Sequence, residues 1–310
     1  MFKDKTMLIT GNGSFATAMT KRLLTTDIKK IIIFSHSEKP QHDNKIKLND
    51  NRVKFIIGDI RDYNALYEAI NGVDYVMHSA AMKYIDICEE NPEECRKTNI
   101  EGSLNVIKAS INNQVKKLVC LSTDKAVNPT TVYGNSKQQM ELTCKNINNK
   151  ETDIILTRYG NVLASNGSVI PLFKSQRDDN KPLTITDPDM TRFFMTIDQA
   201  VDLVLYALEN GTNGDLFVYN NKACTIKQLA DCISDNQVVT GKRCTEKTNE
   251  ELLTLDELSN SELVGNYYRV NKNINRILCD YTEPFRSDNA MRFTKEELQA
   301  LVDGVLKWKY

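Results

Sequence analysis

Residues 6 to 16 read Thr6-Met7-Leu8-Ile9-Thr10-Gly11-Asn12-Gly13-Ser14-Phe15-Ala16. The apolar start predicts a buried strand that runs through a glycine turn into a helix. The first glycine permits a tight turn, the second lets the backbone approach a ligand, and Ala16 keeps helix and strand close together. Because a helix N-terminus favours anions, this pattern is typical of a dinucleotide-binding turn. The residues expected around the pyrophosphate are Gly11, Gly13, Ser14, Phe15 and Ala16; a glycine turn without a ligand is the alternative.

The first half of the chain alternates short apolar strands with helical stretches. The predicted strands are Thr6–Thr10, Lys30–Phe34, Val53–Ile57, Val73–His78, Lys117–Leu121 and Ile154–Thr157. The predicted helices are Ala16–Leu24, Ala65–Ile70, Ser103–Asn112 and Ser136–Asn146. This alternation indicates an α/β fold with a Rossmann-type, doubly wound parallel sheet.

Later segments are less regular and predict a smaller C-terminal substrate-binding lobe. We expect helices at Asp198–Glu209 and Thr294–Lys307 and a strand near Leu216–Tyr219. The expected nucleotide-binding domain covers residues 1–162, with 196–222 returning to it. The expected lobe covers residues 163–195 and 223–310.

Composition narrows the class of protein. The chain has 310 residues, 41% of them hydrophobic, and a formal net charge of -1, which gives no reason to expect a nucleic acid or an acidic membrane surface as partner. No apolar run approaches the roughly 20 residues of a membrane span, and no signal-peptide core precedes the first strand, so a cytoplasmic location is expected. The eight cysteines form no Cys-x-x-Cys pair, and with three histidines they suggest neither a zinc site nor a disulfide framework.

The residues after the second strand bear on the choice between NAD and NADP. Sites that prefer NAD usually place an acid there for the ribose 2′-hydroxyl, whereas this chain has Ser35, His36 and Lys39. A hydroxyl, an imidazole and an ammonium suit a 2′-phosphate, so we expect NADP, with NAD the alternative. Asp59 and Ile60, after the third strand, are expected against the adenine. His78 is expected to pack beside the nucleotide rather than to bind a metal.

Three reactive side chains follow the fifth predicted strand. Thr123, Asp124 and Lys125 come at its carboxyl end, where open α/β sheets bind their ligands. The alternative interpretation of the Asp-Lys pair is a solvated loop.

Tyr133 and Lys137 stand four residues apart at the start of the next helix. Residues four apart share a helix face, so the ammonium of Lys137 is expected beneath the phenol of Tyr133. A fixed cation, together with an oxidised nicotinamide, favours the tyrosinate, which accepts a hydroxyl proton near neutral pH.

These motifs together resemble the extended short-chain dehydrogenase/reductases. Within them they resemble the nucleotide-sugar 4,6-dehydratases that invert C5 of UDP-N-acetylglucosamine, a family of polysaccharide biosynthesis proteins. Besides Tyr133 and Lys137, the resemblance rests on His78 to Lys83, Asn91-Pro92, Thr98 to Gly102, Arg158 to Leu163, Gly167 to Pro171, Met190 to Thr196 and Arg243 to Leu252. The chain departs from the family at Ala16, where a longer loop has a third glycine, and at His36 and Asn166, where the family usually has arginine.

The resemblance implies a reaction cycle. Tyr133 removes the 4-hydroxyl proton as hydride leaves C4 for NADP⁺, and Lys125 then takes the C5 proton while Asp124 protonates the departing 6-hydroxyl. Hydride returns to C6, and a proton returns to the opposite face of C5. Thr123 aligns the 4-hydroxyl, and Lys137 supports Tyr133. Since a base must be neutral, a lowered pKa is predicted for Lys125 and a protonated state for Asp124.

The resemblance also implies binding residues outside this centre. On the cofactor side these are Ala80, Ala81, Lys83 and Tyr159, in addition to Tyr133 and Lys137. On the substrate side Lys83 and Asn99 line the sugar pocket, Asn161, Ser168 and Val169 meet the diphosphate, and Arg243 with Glu246 holds the uridine. For Arg243 and Arg192 a surface or interdomain ion pair is the alternative.

Other functions remain compatible with these motifs. A UDP-hexose 4-epimerase or a C5-retaining UDP-glucose 4,6-dehydratase shares the fold, the cofactor and Tyr133. The resemblance implies Asp-Glu at positions 124 and 125 for C5-retaining dehydratases and small hydroxyl residues there for 4-epimerases. Lys125 therefore favours a dehydratase that inverts C5. A non-catalytic, NADP-sensing protein is a more distant alternative. A homo-oligomer, dimer or hexamer, is expected by analogy.

Overall fold

A computed structural model describes residues 1–163, 168–242, 245–274 and 281–306 of the chain. The chain forms two compact units. Unit 1 comprises Met1–Arg158 and Val201–Phe217, and unit 2 comprises Tyr159–Ala200 and Val218–Tyr310. The expected boundaries, at residues 162, 196 and 222, lie within five residues of these.

Unit 1 is built on a large sheet. Its strands are β1 (Thr6–Thr10), β2 (Lys30–Ser35), β3 (Val53–Ile57), β4 (Tyr75–His78), β5 (Lys117–Thr123), β6 (Asp153–Tyr159) and β10 (Leu216–Tyr219). The last residue of β6 and the last two residues of β10 are assigned to unit 2. They are arranged in the order β10-β6-β5-β4-β1-β2-β3, and the pairs β3-β2, β2-β1, β1-β4 and β4-β5 are parallel. The order 3-2-1-4-5-6 is that of the Rossmann fold, which confirms the predicted class.

Helices connect these strands. They are α1 (Ser14–Leu24), α2 (Glu38–Leu48), α3 (Tyr63–Ile70), α4 (Ile85–Glu90), α5 (Pro92–Arg96), α6 (Ser103–Asn112), α7 (Val132–Asn146) and α9 (Ile197–Asn210). A π-turn, Lys97–Gly102, joins α5 to α6, and a 3₁₀ turn, Asp124–Ala126, follows β5. Fully buried strand residues such as Met7, Leu8, Ile9, Leu118 and Val119 form the core between sheet and helices.

Unit 2 consists of shorter elements. Its strands are β7 (Asn161–Val162), β8 (Leu183–Ile185), β9 (Thr191–Met195), β11 (Ala223–Thr225), β12 (Gln237–Val239), β13 (Glu251–Leu253), β14 (Ser261–Val264), β15 (Tyr267–Val270) and β16 (Phe285–Arg286). Its helices are α8 (Val169–Asp178), α10 (Ile226–Asp231), α11 (Leu255–Ser259) and α12 (Lys295–Leu306). An apolar core that includes Ile170, Phe194, Leu229, Leu298 and Val302 holds α8, α10 and α12 together with β9.

Most predicted elements are present with small changes at their ends. The strand after residue 116 extends to Thr123, so Thr123 belongs to β5 rather than to the loop after it. Helix α7 begins at Val132, four residues before the predicted start, and therefore includes Tyr133. Helix α2 was not predicted, because Gln41 is its one buried residue and its sequence has no apolar stripe.

Candidate active site

A cluster of polar side chains lies at the carboxyl end of β5. Asp124 is fully buried, and its Oδ1 accepts hydrogen bonds from the Thr123 hydroxyl at 2.9 Å and from the Lys125 ammonium at 3.1 Å. The side chain of Lys125 is 24% exposed. The structure therefore brings Thr123, Asp124 and Lys125 together as a partly buried ion pair, unlike the solvated loop that was the alternative.

Helix α7 carries Tyr133 up to this cluster. Thr131 caps the helix by accepting a hydrogen bond from the Gly134 N–H at 3.0 Å. A Cβ at Gly134 would lie 2.4 Å from the backbone oxygen of Lys125, so this position must be glycine for α7 to pack against the 3₁₀ turn. The close approach places Tyr133 next to the Asp-Lys pair.

The protein groups alone keep Tyr133 a neutral phenol at pH 7. Burial raises the pKa of Tyr133 to about 12, and Asp124 also raises it. The charge of Lys125 and a hydrogen bond with Thr123 oppose this rise. A cationic nicotinamide ring beside the phenol would also lower the pKa of Tyr133 and so favour the tyrosinate.

The Lys137 ammonium is bound by β5 and by its own helix, and its predicted place beneath the phenol stays a prediction. It is buried, and its ammonium donates to the Leu121 carbonyl at 2.7 Å and contacts the Met140 sulfur at 3.2 Å. Burial lowers the pKa of Lys137, and nearby Cys120 and Glu141 raise it. In this geometry the cation that lowers the Tyr133 pKa is Lys125.

A buried ion pair below α7 was missed from the sequence. Arg158, at the end of β6, donates from Nε to Glu141 Oε1 at 3.0 Å and from an Nη to Oε2 at 2.5 Å. Ser122 also donates to Glu141 Oε1, at 2.5 Å. Glu141 stands one helical turn beyond Lys137, and a carboxylate in an otherwise buried helix face is the signal that could have found it.

His78 is a buried neutral histidine bound by two hydroxyl groups. It is 1% exposed, and burial lowers its pKa to about 3, with the charge of Lys137 acting in the same direction. Its Nδ1 lies 2.8 Å from the Thr10 hydroxyl and its Nε2 lies 2.8 Å from the Ser103 hydroxyl. Since Ser103 donates to the Asn99 carbonyl at 2.6 Å, its oxygen accepts from Nε2–H.

Asn99 and Lys83 were both expected to line the sugar pocket. Asn99 is fully buried, and both hydrogens of its amide are used, by the Met82 carbonyl at 2.9 Å and the Ser136 hydroxyl at 2.9 Å. Its amide is thus bound within unit 1, and its contact with a sugar stays a prediction. Lys83 is exposed, lies 5.4 Å from the centre of the Tyr84 ring, and has a pKa lowered by partial burial of its ammonium.

The glycine turn has the geometry expected of a dinucleotide site. Gly11 has φ +87°, and a Cβ there would meet the Ala80 backbone at 3.2 Å. Gly13 is the N-cap of α1 and carries no side chain to cap it, and a Cβ added at Gly13 would meet nothing within 4 Å. Helix α1 therefore begins without a side-chain cap, and the position of Gly13 is open. Ser14 and Phe15 are half-buried, Ala16 is buried, and Ala80 and Ala81 are half-buried beside Gly11.

The tip of β2 carries hydroxyl and cationic groups. Ser35 is buried, and its hydroxyl accepts from the Ser37 N–H at 3.3 Å. His36 and Lys39 are exposed, with Lys39 3.0 Å from Asp43 on the same helix. Across from this tip Ile60 is buried, and Asp59 is paired with Arg61, which lowers the pKa of the Asp59 carboxyl.

The predicted residues of unit 2 fall in two places. Tyr159, Asn161 and Val169 are half-buried. Ser168 is the N-cap of α8, and its buried Oγ has no hydrogen-bond partner among the described residues. Glu246 Oε1 lies 3.5 Å from an Nη of Arg192. Arg243 lies outside the described residues.

Arg192 is a buried structural cation of unit 2. It donates to the carbonyl groups of Thr191, Thr248 and Lys247 at 2.8, 3.0 and 2.9 Å, and its Nε lies 3.8 Å from Glu250. These contacts use its guanidinium at a buried position inside unit 2, and not in the surface or interdomain ion pair that was the alternative.

The described ranges contain neither a metal-binding cluster nor a membrane-spanning helix. Over residues 1–163, 168–242, 245–274 and 281–306, no group of three or more His, Cys, Asp or Glu side chains could hold a metal ion. Over the same ranges no helix has the length and apolar character needed to cross a membrane.

Comparison with known proteins identifies the family. Residues 7–272 match the family described as polysaccharide biosynthesis protein. The chain is 44% identical to a UDP-glucose 4-epimerase of Rickettsia felis, over 97% of this chain and 96% of the relative.

Two solved structures are similar over most of the chain. Pen from Bacillus thuringiensis is 34% identical, with 98% of each chain covered and a TM-score of 0.92. DesIV, a dTDP-glucose 4,6-dehydratase of Streptomyces venezuelae solved with NAD bound, is 21% identical, covers 78% of this chain and 86% of its own, and has a TM-score of 0.72, which supports the fold.

The fold and the site define a nucleotide-sugar epimerase or dehydratase of the short-chain dehydrogenase/reductase type. The chain belongs to the polysaccharide biosynthesis protein family.

Proposed function

We propose that the protein is a nucleotide-sugar 4,6-dehydratase that converts UDP-N-acetylglucosamine to a 4-keto-6-deoxy sugar with inversion at C5. The observation that carries this proposal is the 3.1 Å contact between Lys125 Nζ and Asp124 Oδ1 beside Tyr133. Epimerisation at C4 moves one hydride and the O4 proton, so one acid/base group is enough for it. Elimination of water across C5 and C6 needs a base for C5 and an acid for O6 as well, and the Asp-Lys pair supplies both.

The contact between Lys125 and Asp124 also supports a route to the neutral lysine and protonated aspartate that elimination needs. Lys125 and Asp124 form an ion pair, in which the lysine cannot act as a base. Movement of one proton along their hydrogen bond gives a neutral amine and a neutral carboxylic acid. Burial of Asp124 favours that neutral pair, because charges are poorly solvated there.

Elimination then restores the ion pair. The amine of Lys125 takes the proton from C5, the C6–O6 bond breaks, and the proton of Asp124 leaves with O6 as water. Since the carboxyl group is fully buried, its proton reaches O6 through a hydrogen-bonded neighbour, and both Lys125 and Thr123 contact it. The products of the step are an ammonium and a carboxylate, so the charges balance.

The residues present fit a bound dinucleotide, and we propose NADP. The uncapped N-terminus of α1 and the open space at Gly13 suit the pyrophosphate. Ser35, His36 and Lys39 suit a 2′-phosphate, Asp59 and Ile60 the adenine, and Tyr133, Lys137 and Tyr159 the nicotinamide end. The bound group supplies a reversible hydride acceptor for C4, and NAD remains the second candidate.

Within unit 2 we propose a site for the diphosphate at the N-terminus of α8. Within the described part of the chain, the buried Ser168 hydroxyl has no hydrogen-bond partner and the Ser168 side chain does not cap the helix. Asn161 and Val169 are proposed to complete it, with Arg243 and Glu246 at the uridine. A homo-oligomer in the cytoplasm remains part of the proposal.

A second candidate is a UDP-glucose 4-epimerase, which the name of the Rickettsia felis relative favours. Mass spectrometry separates the two. The purified protein with NADP⁺ and UDP-N-acetylglucosamine, or UDP-glucose, should give a product one water molecule lighter than its substrate. A product of unchanged mass would support the epimerase, and no product from either sugar would support a non-catalytic protein.

A further inference from the structure

Helix α2 is held against the sheet by amide groups rather than by an apolar stripe. Gln41 is its one buried residue, and its Nε2 donates to the Ser35 carbonyl at 2.6 Å and to the Ile56 carbonyl at 3.0 Å. These carbonyls lie near the carboxyl ends of β2 and β3. Because hydrogen bonds are directional and apolar packing is not, the two contacts fix the position of α2 relative to these strand ends.

A second amide of α2 binds the glycine turn after β1. Asn44 stands three residues after Gln41, and residues at this spacing share a helix face. Its Nδ2 donates to Asn12 Oδ1 at 2.7 Å and to the Thr17 hydroxyl at 3.0 Å. The Thr17 hydroxyl in turn donates to the Gly13 carbonyl at 3.2 Å. One amide therefore contacts both the turn and the first turn of α1.

Asn12 lies in the part of the chain that most needs such a contact, because glycines stand on both sides of it. Glycine has more conformational freedom than any other residue, and Gly11 has φ +87°. The Gly11 N–H donates to the Phe34 carbonyl of β2 at 2.8 Å, which holds one end of the turn. The Nδ2 of Asn12 is buried and has no hydrogen-bond partner among the described residues. Within that part of the chain, Asn44 is therefore the residue that holds the Asn12 side chain.

The contact between Asn12 and Asn44 joins two parts of the proposed dinucleotide site. The glycine turn is proposed for the pyrophosphate, and Ser35, His36 and Lys39, at the tip of β2 and the start of α2, are proposed for the 2′-phosphate. A turn that is ordered before binding loses little conformational freedom when the pyrophosphate arrives. The contact should therefore strengthen the binding of a dinucleotide with or without a 2′-phosphate.

We propose that Asn44 is a positioning residue that acts through Asn12 to hold the glycine turn in the conformation that receives the pyrophosphate. It contacts the turn and not the cofactor. The proposal rests on the proposed function for its effect on cofactor affinity. Its structural part, the hold of one amide on Asn12 and Thr17, does not depend on which dinucleotide or sugar the protein binds.

Titration calorimetry of the cofactor-free protein tests the proposal with two single variants and their combination. Asn44→Ala should weaken the binding of NADP⁺ and of NAD⁺ by the same factor, about 10-fold, because both contain the pyrophosphate. Asn12→Ala should also weaken both, and since Asn12 does not have a positive φ, alanine can take its backbone conformation. The double variant should bind no more weakly than Asn44→Ala, because both changes break one connection. The control is Ile46→Ala, at an exposed position of the same helix, which should keep the wild-type affinities.

Adenosine 2′-phosphate separates this role from a general loss of structure. It has the adenosine end of NADP⁺ without the pyrophosphate, so its affinity for Asn44→Ala should stay within about 3-fold of the wild type. Equal losses for adenosine 2′-phosphate and NADP⁺ would mean that the variant displaces α2 as a whole, which would overturn the proposal. Weakened binding of NADP⁺ with NAD⁺ unaffected would overturn it too, because Asn44 would then act at the 2′-phosphate. A double variant weakened by the product of the two single factors would show that Asn12 and Asn44 act independently.

A second measurement keeps the test independent of any cofactor. The N–H groups of Gly11 and Thr17 are bonded to the carbonyls of Phe34 and Gly13, so their hydrogen exchange reports on the turn. Their exchange should accelerate about 10-fold in Asn44→Ala and in Asn12→Ala, but not in the Ile46→Ala control. If the wild type binds neither NADP⁺ nor NAD⁺, the proposed function fails while this exchange still decides whether Asn44 holds the turn. Unchanged exchange in Asn44→Ala would contradict it.

Discussion

Arg158 and Glu141 form a buried, two-pronged ion pair that joins the end of β6 to helix α7. The two side chains are 3% and 4% exposed, and Ser122 at the end of β5 adds a third hydrogen bond to the carboxylate. Three neighbouring elements therefore meet at one carboxylate, one helical turn from Lys137. The pair holds the helix that carries Tyr133 against the strands β5 and β6, and β5 leads into the turn that carries Asp124.

Removal of this carboxylate should destabilise unit 1 strongly. Glu141→Ala leaves a buried guanidinium without its partner, which typically costs about 3–5 kcal/mol. Chemical denaturation followed by circular dichroism should show a clear drop in the unfolding midpoint. The matched control, Gln139→Ala at an exposed position of the same helix, should change it little. A midpoint for Glu141→Ala equal to that of the control would remove the pair from our account of the helix.

The buried His78 should make stability depend on pH. Because its folded pKa lies near 3 and its unfolded pKa is close to 6.5, the unfolded chain binds a proton first as the pH falls. This residue's contribution is complete above pH 6.5 and is lost at about 1.4 kcal/mol per pH unit below it, or about 2 kcal/mol at pH 5.

His78→Asn should flatten that dependence. Unfolding free energies measured from pH 7 to pH 5 should fall less steeply for the variant than for the wild type. His42→Asn, at an exposed position of α2, is the control and should keep the wild-type slope. Equal slopes for His78→Asn and the wild type would mean that the histidine is not buried as a neutral ring.

Two glycines should respond to alanine in opposite ways. At Gly13 an added methyl meets no protein atom within 4 Å, so Gly13→Ala should keep the wild-type Tm. Because the methyl would occupy the proposed pyrophosphate site, calorimetry should show NADP⁺ binding weakened at least 10-fold. At Gly134 the methyl meets the Lys125 backbone at 2.4 Å, so Gly134→Ala should lower both Tm and turnover. NADP⁺ affinity unchanged by Gly13→Ala would argue against a dinucleotide at this turn.

The Asp-Lys pair should be needed for turnover and not for cofactor binding. Lys125→Ala and Asp124→Asn should each reduce turnover by about 10²–10⁴, the usual contribution of positioned acid/base groups. NADP⁺ affinity should stay within about 3-fold of the wild type, since neither residue is expected at the pyrophosphate or the adenine. Lys108→Ala, an exposed lysine of α6, is the control. Near-normal turnover in either variant would remove that residue from the mechanism.

Part of this arrangement could be predicted from the sequence because it depends on local patterns. Apolar runs predicted the strands of the parallel sheet, and the glycines after Thr10 predicted the turn from β1 into α1. The triplet Thr123 to Lys125 could be placed at a strand end for the same reason. The resemblance, and not the spacing, implied that this triplet acts together with Tyr133.

The remainder depends on contacts between residues far apart in the chain. The amide of Asn99 meets Met82 and Ser136, 17 and 37 residues away, and no spacing rule relates them. Its complete burial could not be predicted from the sequence either. The Lys137 ammonium bonds to the Leu121 carbonyl because the end of β5 lies beside α7, and helical periodicity describes only neighbours on the same helix.

The central claim is that Lys125 acts as the base in a C5-inverting dehydratase, and proton NMR in deuterated water tests it directly. The wild-type protein is incubated with UDP-N-acetylglucosamine and NADP⁺, and the sugar resonances are followed. Our account predicts a 4-keto-6-deoxy product that carries deuterium at C5 with inverted configuration. A 4-keto-6-deoxy product with retained C5 configuration, or a C4 epimer that keeps its 6-hydroxyl group, would contradict it.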